Sequence, residues 1–201
     1  MRFFDYDNDG LLDILTVSGE VFIIEALARQ NDPFPMHQPN QLFRNTGTGR
    51  YEEVTAEAGK VFELSEVSRG TAFGDIDNDG DTDVLLANCQ GRARLLVNQV
   101  GTSSHWVGLR LVADSPVIEE IGAWVGVHRK GKPTLWRRVR TDGGFGSAND
   151  PRLLVGLGAD ASIEKVEAHW PDGTIEFFSD IEVDSYTTLV KGSGKKADGG
   201  T

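Results

Sequence analysis

Two short runs constrain this chain more than any other feature: Asp5-Tyr6-Asp7-Asn8-Asp9-Gly10-Leu11-Leu12-Asp13 and Asp75-Ile76-Asp77-Asn78-Asp79-Gly80-Asp81-Thr82-Asp83. Each sets carboxylates at positions 1, 3, 5 and 9 of a loop, with glycine at position 6. A hard cation such as Ca2+ takes several oxygen ligands from a short, sharply turning loop, and alternate positions can converge on one point. Glycine permits the turn that wraps the ion. Position 7 is Leu11 in the first run and Asp81 in the second. Leucine has no side-chain oxygen, so the ligand expected there is the backbone carbonyl. The expected cages are Asp5, Asp7, Asp9 and Asp13 with the carbonyl of Leu11, and Asp75, Asp77, Asp79 and Asp83 with the carbonyl of Asp81, completed by water. Neither set contains histidine or cysteine, which favours Ca2+ over a transition metal.

The pattern is half of an EF-hand loop. The other half, a bidentate Glu at position 12 and flanking helices, is missing: position 12 is Thr16 in one run and Leu86 in the other. Ile14-Leu15-Thr16-Val17 and Val84-Leu85-Leu86-Ala87 come directly after the loops and read as short buried strands. The plainer reading of Asn-Asp-Gly is hairpin-turn chemistry. A turn alone has no need of three or four carboxylates, which repel each other without a cation.

The loops hold nine of the aspartates in a chain whose formal net charge is −11, so much of the acidity sits where a cation would be. That balance argues against nucleic-acid and anionic-membrane binding. No stretch approaches the ~20 apolar residues of a membrane span. Gly at 24 of 201 residues implies many turns and suits an all-β chain. The lone Cys89 comes after an apolar run and is expected as a small buried core residue. Met1-Arg2 leads straight into Phe3-Phe4-Asp5 without a signal-peptide pattern. The expectation is a fragment, with further blades upstream of this chain.

The two runs are an internal repeat, Asp5 to Asp75 being 70 residues. Phe3-Phe4-Asp5 matches Phe73-Gly74-Asp75, and Leu42-Phe43-Arg44-Asn45 matches Leu95-Leu96-Val97-Asn98. The first copy carries a 17-residue insertion, placed in 25–40 with Pro33, Pro35 and Pro39 and read as a surface loop. Residues 45–50 read as a tight hairpin turn and 55–59 as a helical turn ending in glycine. Beyond Gly101 the strands expected are 105–111, alternating and half-buried, then 121–128, 135–140, 152–157, 165–170, 174–178 and 187–190. Gly143-Gly144-Phe145-Gly146-Ser147 reads as a flexible connection, Pro171-Asp172-Gly173 as a turn, and 192–201 as a disordered tail.

The Asp loops resemble those of FG-GAP or VCBS-type repeats, which are β-propeller blades with Ca2+ loops. His105-Trp106-Val107-Gly108-Leu109, Ile121-Gly122-Ala123, Gly143-Gly144-Phe145, Val155-Gly156-Leu157-Gly158 and Trp170-Pro171-Asp172-Gly173 resemble the ASPIC and UnbV domain that often accompanies such repeats on their C-terminal side. Gly146-Ser147-Ala148-Asn149 departs from that family's usual aromatic-Leu-Ser-Gln-like run. The resemblance implies an all-β chain with open, partial propeller blades over 1–100, a β-rich sandwich-like domain over 101–191 and a tail over 192–201. It also implies a secreted, cell-surface or periplasmic protein of calcium-binding, adhesive character. Two repeats do not close a propeller of four to eight blades, which leaves an open blade edge.

Other patterns carry less. Gly156-Leu157-Gly158-Ala159-Asp160-Ala161 fits a dinucleotide fingerprint, but Val166, Ala168 and Trp170 alternate with Glu167 and His169 like a strand where a helix is needed. Histidines 37, 105, 128 and 169 show no zinc-ligand spacing. Trp106, Trp124, Trp136 and Trp170 are expected mostly as core, with sugar stacking the sharper alternative. Arg137, Arg138 and Arg140 with Lys130 and Lys132 form a basic island, read as a solvated face. The sequence therefore favours a calcium-stabilised, non-enzymatic interaction module for a protein or carbohydrate ligand, with no catalytic residues. The alternative is an accessory or catalytic domain of a carbohydrate- or secondary-metabolite-processing enzyme, which requires convergent catalytic groups at a pocket.

Overall fold

The computed structural model describes residues 1–89 and 91–196. The chain enters with β1 (Arg2–Phe4) and β2 (Asp13–Thr16). The insertion holds a one-turn helix, α1 (Glu25–Arg29), and ends in β3 (Gln38–Pro39), which leads to β4 (Gln41–Asn45) and β5 (Tyr51–Glu53). Strands β1, β2, β4 and β5 pair in that order as an antiparallel sheet. After β6 (Ser65–Glu66), β7 (Ser68–Gly74), β8 (Asp83–Asn88) and β9 (Arg94–Leu96) form a second antiparallel sheet. Each Asp loop joins the first two strands of its repeat, β1 to β2 and β7 to β8. Leu15, Leu42, Val54, Phe73 and Val84 from the two sheets share one buried cluster, with Phe4 and Phe73 rings 5.1 Å apart. The insertion is tied down: β3 pairs with β6, and Arg69 donates to the carbonyls of Gly19 and Glu20.

The remaining strands are β10 (His105–Val112), β11 (Trp124–His128), β12 (Leu135–Arg138), β13 (Leu153–Gly158), β14 (Lys165–His169), β15 (Ile175–Phe178), β16 (Tyr186–Val190) and β17 (Lys195–Lys196). They make a three-stranded sheet, β13-β10-β16, and a five-stranded sheet, β12-β11-β14-β15-β17. Val107, Leu109, Leu111, Val125, Val127, Val155, Val166 and Leu189 fill the space between these two sheets and are all but fully buried. The chain is all-β, with open propeller-like blades, and no sheet closes on itself among the described residues. The turn at Pro171-Asp172-Gly173 forms as read, Gly173 at φ +88° and its N–H bonded to the Trp170 carbonyl.

Several expectations need correction. Strand β10 does not alternate: Trp106 and Val107 are both buried, because both of its faces are covered. The Val107 face meets the sandwich core, and Trp106 lies on Gly80 of the second Asp loop and 5.2 Å from the Tyr186 ring. Cys89 is exposed, since β8 stops at Asn88 and the chain turns outward there. The tail expected from residue 192 is ordered to Lys196. Glu176, fully buried, accepts the Gly192 N–H at 3.0 Å and draws β17 onto β15; residues 197–201 lie outside the described residues. Strand β11 begins at Trp124, not at 121, after a turn at Gly122 with φ +100°. The 143–147 connection is docked on the edge of β7: Ser147 donates to the Thr71 carbonyl, and Asp150 N–H to the Phe73 carbonyl. That edge is thus partly covered by the second half of the chain, which moderates the open-edge expectation.

Asn8 joins the pieces. It is fully buried at φ +56°, and its amide donates to the carbonyls of Gly80 (2.8 Å) and Gly101 (3.1 Å). Its own carbonyl accepts from Gly158 N–H at 2.8 Å. Asn78, the same position in the second loop, has the same backbone (φ +60°) but is exposed and meets only Arg152 through its side chain. Asn8→Ala should therefore cost about 2–4 kcal/mol, since it strands two buried carbonyls and forces alanine into the left-handed region. Asn78→Ala should cost about 1 kcal/mol. Urea unfolding measures both, and equal losses at the two positions would show that the Asn8 bridge contributes nothing.

Candidate metal centre

The two Asp loops fold alike because most of their hydrogen bonds recur at matching positions; the position-5 N–H is the difference, Asp9 donating to Asp7 and Asp79 to Asp75. The ninth-position carboxylate receives the N–H of the second residue: Tyr6 to Asp13 at 3.1 Å, Ile76 to Asp83 at 3.0 Å. The first-position carboxylate receives the glycine N–H: Gly10 to Asp5 at 3.0 Å, Gly80 to Asp75 at 2.9 Å. The other oxygen of the ninth-position acid accepts the backbone N–H of an asparagine from the strand that pairs next in each repeat, Asn45 at the end of β4 (2.7 Å) and Asn98 just beyond β9 (2.9 Å). Gly10 and Gly80 stand at φ +91° and +93°, where only glycine is unstrained.

This scaffold brings Asp5, Asp7 and Asp13 together, one oxygen of each lying within 4.8 Å of the others, and does the same for Asp75, Asp77 and Asp83. Asp9 and Asp79 stand outside these threesomes. Each turns an oxygen back onto the position-7 N–H, Leu11 at 2.7 Å and Asp81 at 3.2 Å. The Asp81 side chain points away from the group, fully buried against Gly101. Its role in the expected cage stays with its carbonyl, as does that of Leu11.

The donor set fits a hard cation. Every grouped side-chain atom is an oxygen, and one of the grouped carboxylates, Asp5, has an oxygen, Oδ1, buried without a hydrogen-bond partner. Burial pushes Asp5 up to about 7, despite Arg137, with Asp9, Asp13 and Asp7 adding to the rise. Burial also raises Asp13 to about 6, against the pull of the Asn45 and Tyr6 amides. A cation among these oxygens would reverse both costs.

Second-half residues that sequence reasoning did not assign frame the loops. Tyr186 Oη donates to Asp75 Oδ2 at 2.8 Å, and Arg152 donates to the Asp75 carbonyl and lies over the Tyr186 ring. Arg137 donates to the Gly10 carbonyl at 2.9 Å and sits 3.8 Å from Asp5. A Cβ on Gly156 would collide with the Asn8 backbone. The one signal available in the sequence was the match of Asn45 to Asn98; the arginines and Tyr186 act across more than 70 residues and left none.

Asp81 provides a pH test. Burial and the charges of Asp79 and Asp83 lift it to about 7, and neither oxygen has a well-formed hydrogen bond, although the Thr102 amide pulls the other way. The unfolded chain releases this proton near pH 4. The folded state therefore holds more protons between about 4 and 7, and the stability contributed by this group, complete below about 4, is lost as pH rises through about 7. Asp81→Asn should accordingly raise the melting temperature of the chelated protein at about pH 7.5, with the gain shrinking as pH falls and vanishing below about pH 4. A variant that melts below wild type at both pH values would mean that the carboxylate is held by a favourable contact.

Residues 5–86 match the family model of the FG-GAP-like repeat, and residues 118–196 match that of the ASPIC and UnbV domain. No curated protein matches the chain. The doubled Asp loop falls wholly within the first match, and strands β11 to β17 within the second. The chain is thus an FG-GAP-like repeat followed by an ASPIC and UnbV domain.

Proposed function

We propose that this chain is a calcium-stabilised, non-enzymatic interaction module of extracellular type. The observation that carries the reading is the duplicated three-carboxylate group, in one copy of which a buried oxygen lacks any partner. Asp5, Asp7 and Asp13 would hold one Ca2+, and Asp75, Asp77 and Asp83 the other, with the carbonyls of Leu11 and Asp81 and with Asp9 and Asp79 in support. The ion supplies charge neutralisation and a fixed loop shape. The chain's own residues transmit that shape: Asn8 to Gly80, Gly101 and Gly158, and Gly80 to Trp106. Calcium thereby sets the seam between the repeats and the second half.

A non-catalytic role is supported by the commitment of the acids that line the cleft between β1 and β12. Asp5 and Asp75 belong to the metal groups, and Asp150 is paired with Arg152 at 2.7 Å. Localisation outside the cytoplasm or in the periplasm is proposed from the FG-GAP-like repeat. Among the described residues no helix is long and apolar enough to cross a membrane.

Calorimetric titration tests the reading. Two Ca2+ sites are expected, with dissociation constants on the order of 10⁻⁴–10⁻³ M or tighter. A hundredfold excess of Ca2+ over the dissociation constant should stabilise the fold by about 2.7 kcal/mol per site. Asp77 is exposed and makes no other bond among the described residues, so Asp77→Asn should remove one site and leave the chelated protein's melting temperature unchanged. On chelation, amide protection should fall in β10 and β13 as well as in β2 and β8, and stay unchanged in β15. Absence of Ca2+ heat from folded protein would overturn the reading.

A further inference from the structure

A cleft of about 310 Å³ opens between the first repeat sheet and the rim of the second half, along β12, the edge strand of its sheet. In a chain of net charge −11 it is lined by five arginines against three aspartates. Two of the arginines are committed to the seam: Arg137 to the Gly10 carbonyl, and Arg152 to Asp150, Asn78 and the Asp75 carbonyl. The other three keep donors to offer. Arg138 makes no ion pair or side-chain hydrogen bond among the described residues and is exposed. Arg140 approaches only Asp142, at 3.4 Å, and Asp142 is itself largely in solvent. Arg2 gives one nitrogen to the Asp142 carbonyl, while its shielded Nε has no partner.

Arg2 and Arg140 crowd one another over Gly143, where any Cβ would meet both guanidinium groups. Burial and the Arg140 charge together hold Arg2 down at about 10. Like charges held this close are relieved by an anion between them, and guanidinium forks match carboxylate and sulfate oxygens in geometry. The wall that carries Arg138 is also aromatic. Trp124 and Trp136 line the cleft at 47% and 40% exposure, on the outer face of β11 and β12, with Arg138 directly across from Trp124. The other two tryptophans, Trp106 and Trp170, are buried. Indole faces left in water beside cationic forks suit a ligand that has both an apolar ring face and a charge. The volume lies at the small end of ligand sites, roughly 300–1,000 Å³, which admits one sugar ring with a charged substituent.

We propose that this cleft binds an acidic sugar, a monosaccharide unit carrying a carboxylate or a sulfate, with Arg2, Arg138 and Arg140 taking the anion and Trp124 and Trp136 the ring. The proposal stands on the cleft and not on the Asp loops, so titration in Ca2+ and again in chelator separates its failure from failure of the metal reading. Glucuronate, N-acetylglucosamine 6-sulfate, glucose and inorganic sulfate are titrated into the full chain and monitored by ligand-observed NMR and calorimetry. At least one charged sugar should bind about tenfold more tightly than glucose and than sulfate ion. Arg138→Ala with Arg140→Ala should lose that margin, and Trp124→Ala should bring the charged sugar down to the level of sulfate. These side chains are exposed, so circular dichroism should show the variants folded; Arg138→Gln alone, expected to lose about half the margin, is the milder check. Sulfate binding as tightly as the sugars, glucose binding as tightly as glucuronate, or no binding of any probe overturns the proposal.

Discussion

The structure depends on a seam one side chain wide. Asn8 is buried between two acidic loops that are 70 residues apart, and its amide reaches a carbonyl of the other loop and a carbonyl of the connecting segment. Gly101, where that segment passes, has no room for a side chain: a Cβ there would press on Asp81, the Asn8 amide and the Tyr6 carbonyl. Gly156 likewise lies flush on the Asn8 backbone. Small residues on one side and an amide nitrogen that donates to two carbonyls on the other let three backbone segments meet closely. Buried carbonyls without partners are costly, so this contact decides whether the two halves are separable.

Negative charge concentrates at the same seam, and this sets its energetic character. Asp5, Asp13 and Asp81 are all pushed upward by burial, while Asp75, in the matching place of the second loop, receives Tyr186 and two backbone amides. The two loops are therefore alike in chain geometry and unlike in electrostatic support. Hydrogen bonds from neutral donors carry part of the charge in the second loop. In the first, an unpartnered Asp5 oxygen and a distant Arg137 carry less of it, and a bound cation has more to offset there.

What the sequence made legible is what local spacing controls. Hydrogen bonds within each loop span seven residues or fewer, as from Tyr6 to Asp13, so a repeat of residues became a repeat of structure. The hairpin at 45–50 and the turn at Gly173 were readable for the same reason. The misreading of β10 comes from the assumption that a strand has one covered face. Trp106 and Val107 are both buried because a loop from the first half covers the second face of β10. The tail strand β17 depends on the buried Glu176, a charge no periodicity predicts as an anchor. Exposed Cys89 and docked 143–147 reflect tertiary neighbours that lie far away in sequence. Of the candidate ligands, the three-residue grouping was implicit in positions 1, 3 and 9. The bond from one oxygen of Asp9 and of Asp79 to the amide two residues on was not, because it rests on how the position-5 side chain turns.

The basic island shows how one pattern divides into two roles once strand direction is known. In a strand, successive side chains point to opposite faces. Arg137 therefore turns inward with Val125 as its partner across the ladder, and reaches Gly10 and Asp5. Arg138 turns outward beside Trp124 and is left in the open cleft. The same alternation buries Val139 and returns Arg140 to the surface. A run that looked like a single solvated face is thus one structural cation that holds an acidic loop and two cations with free donors.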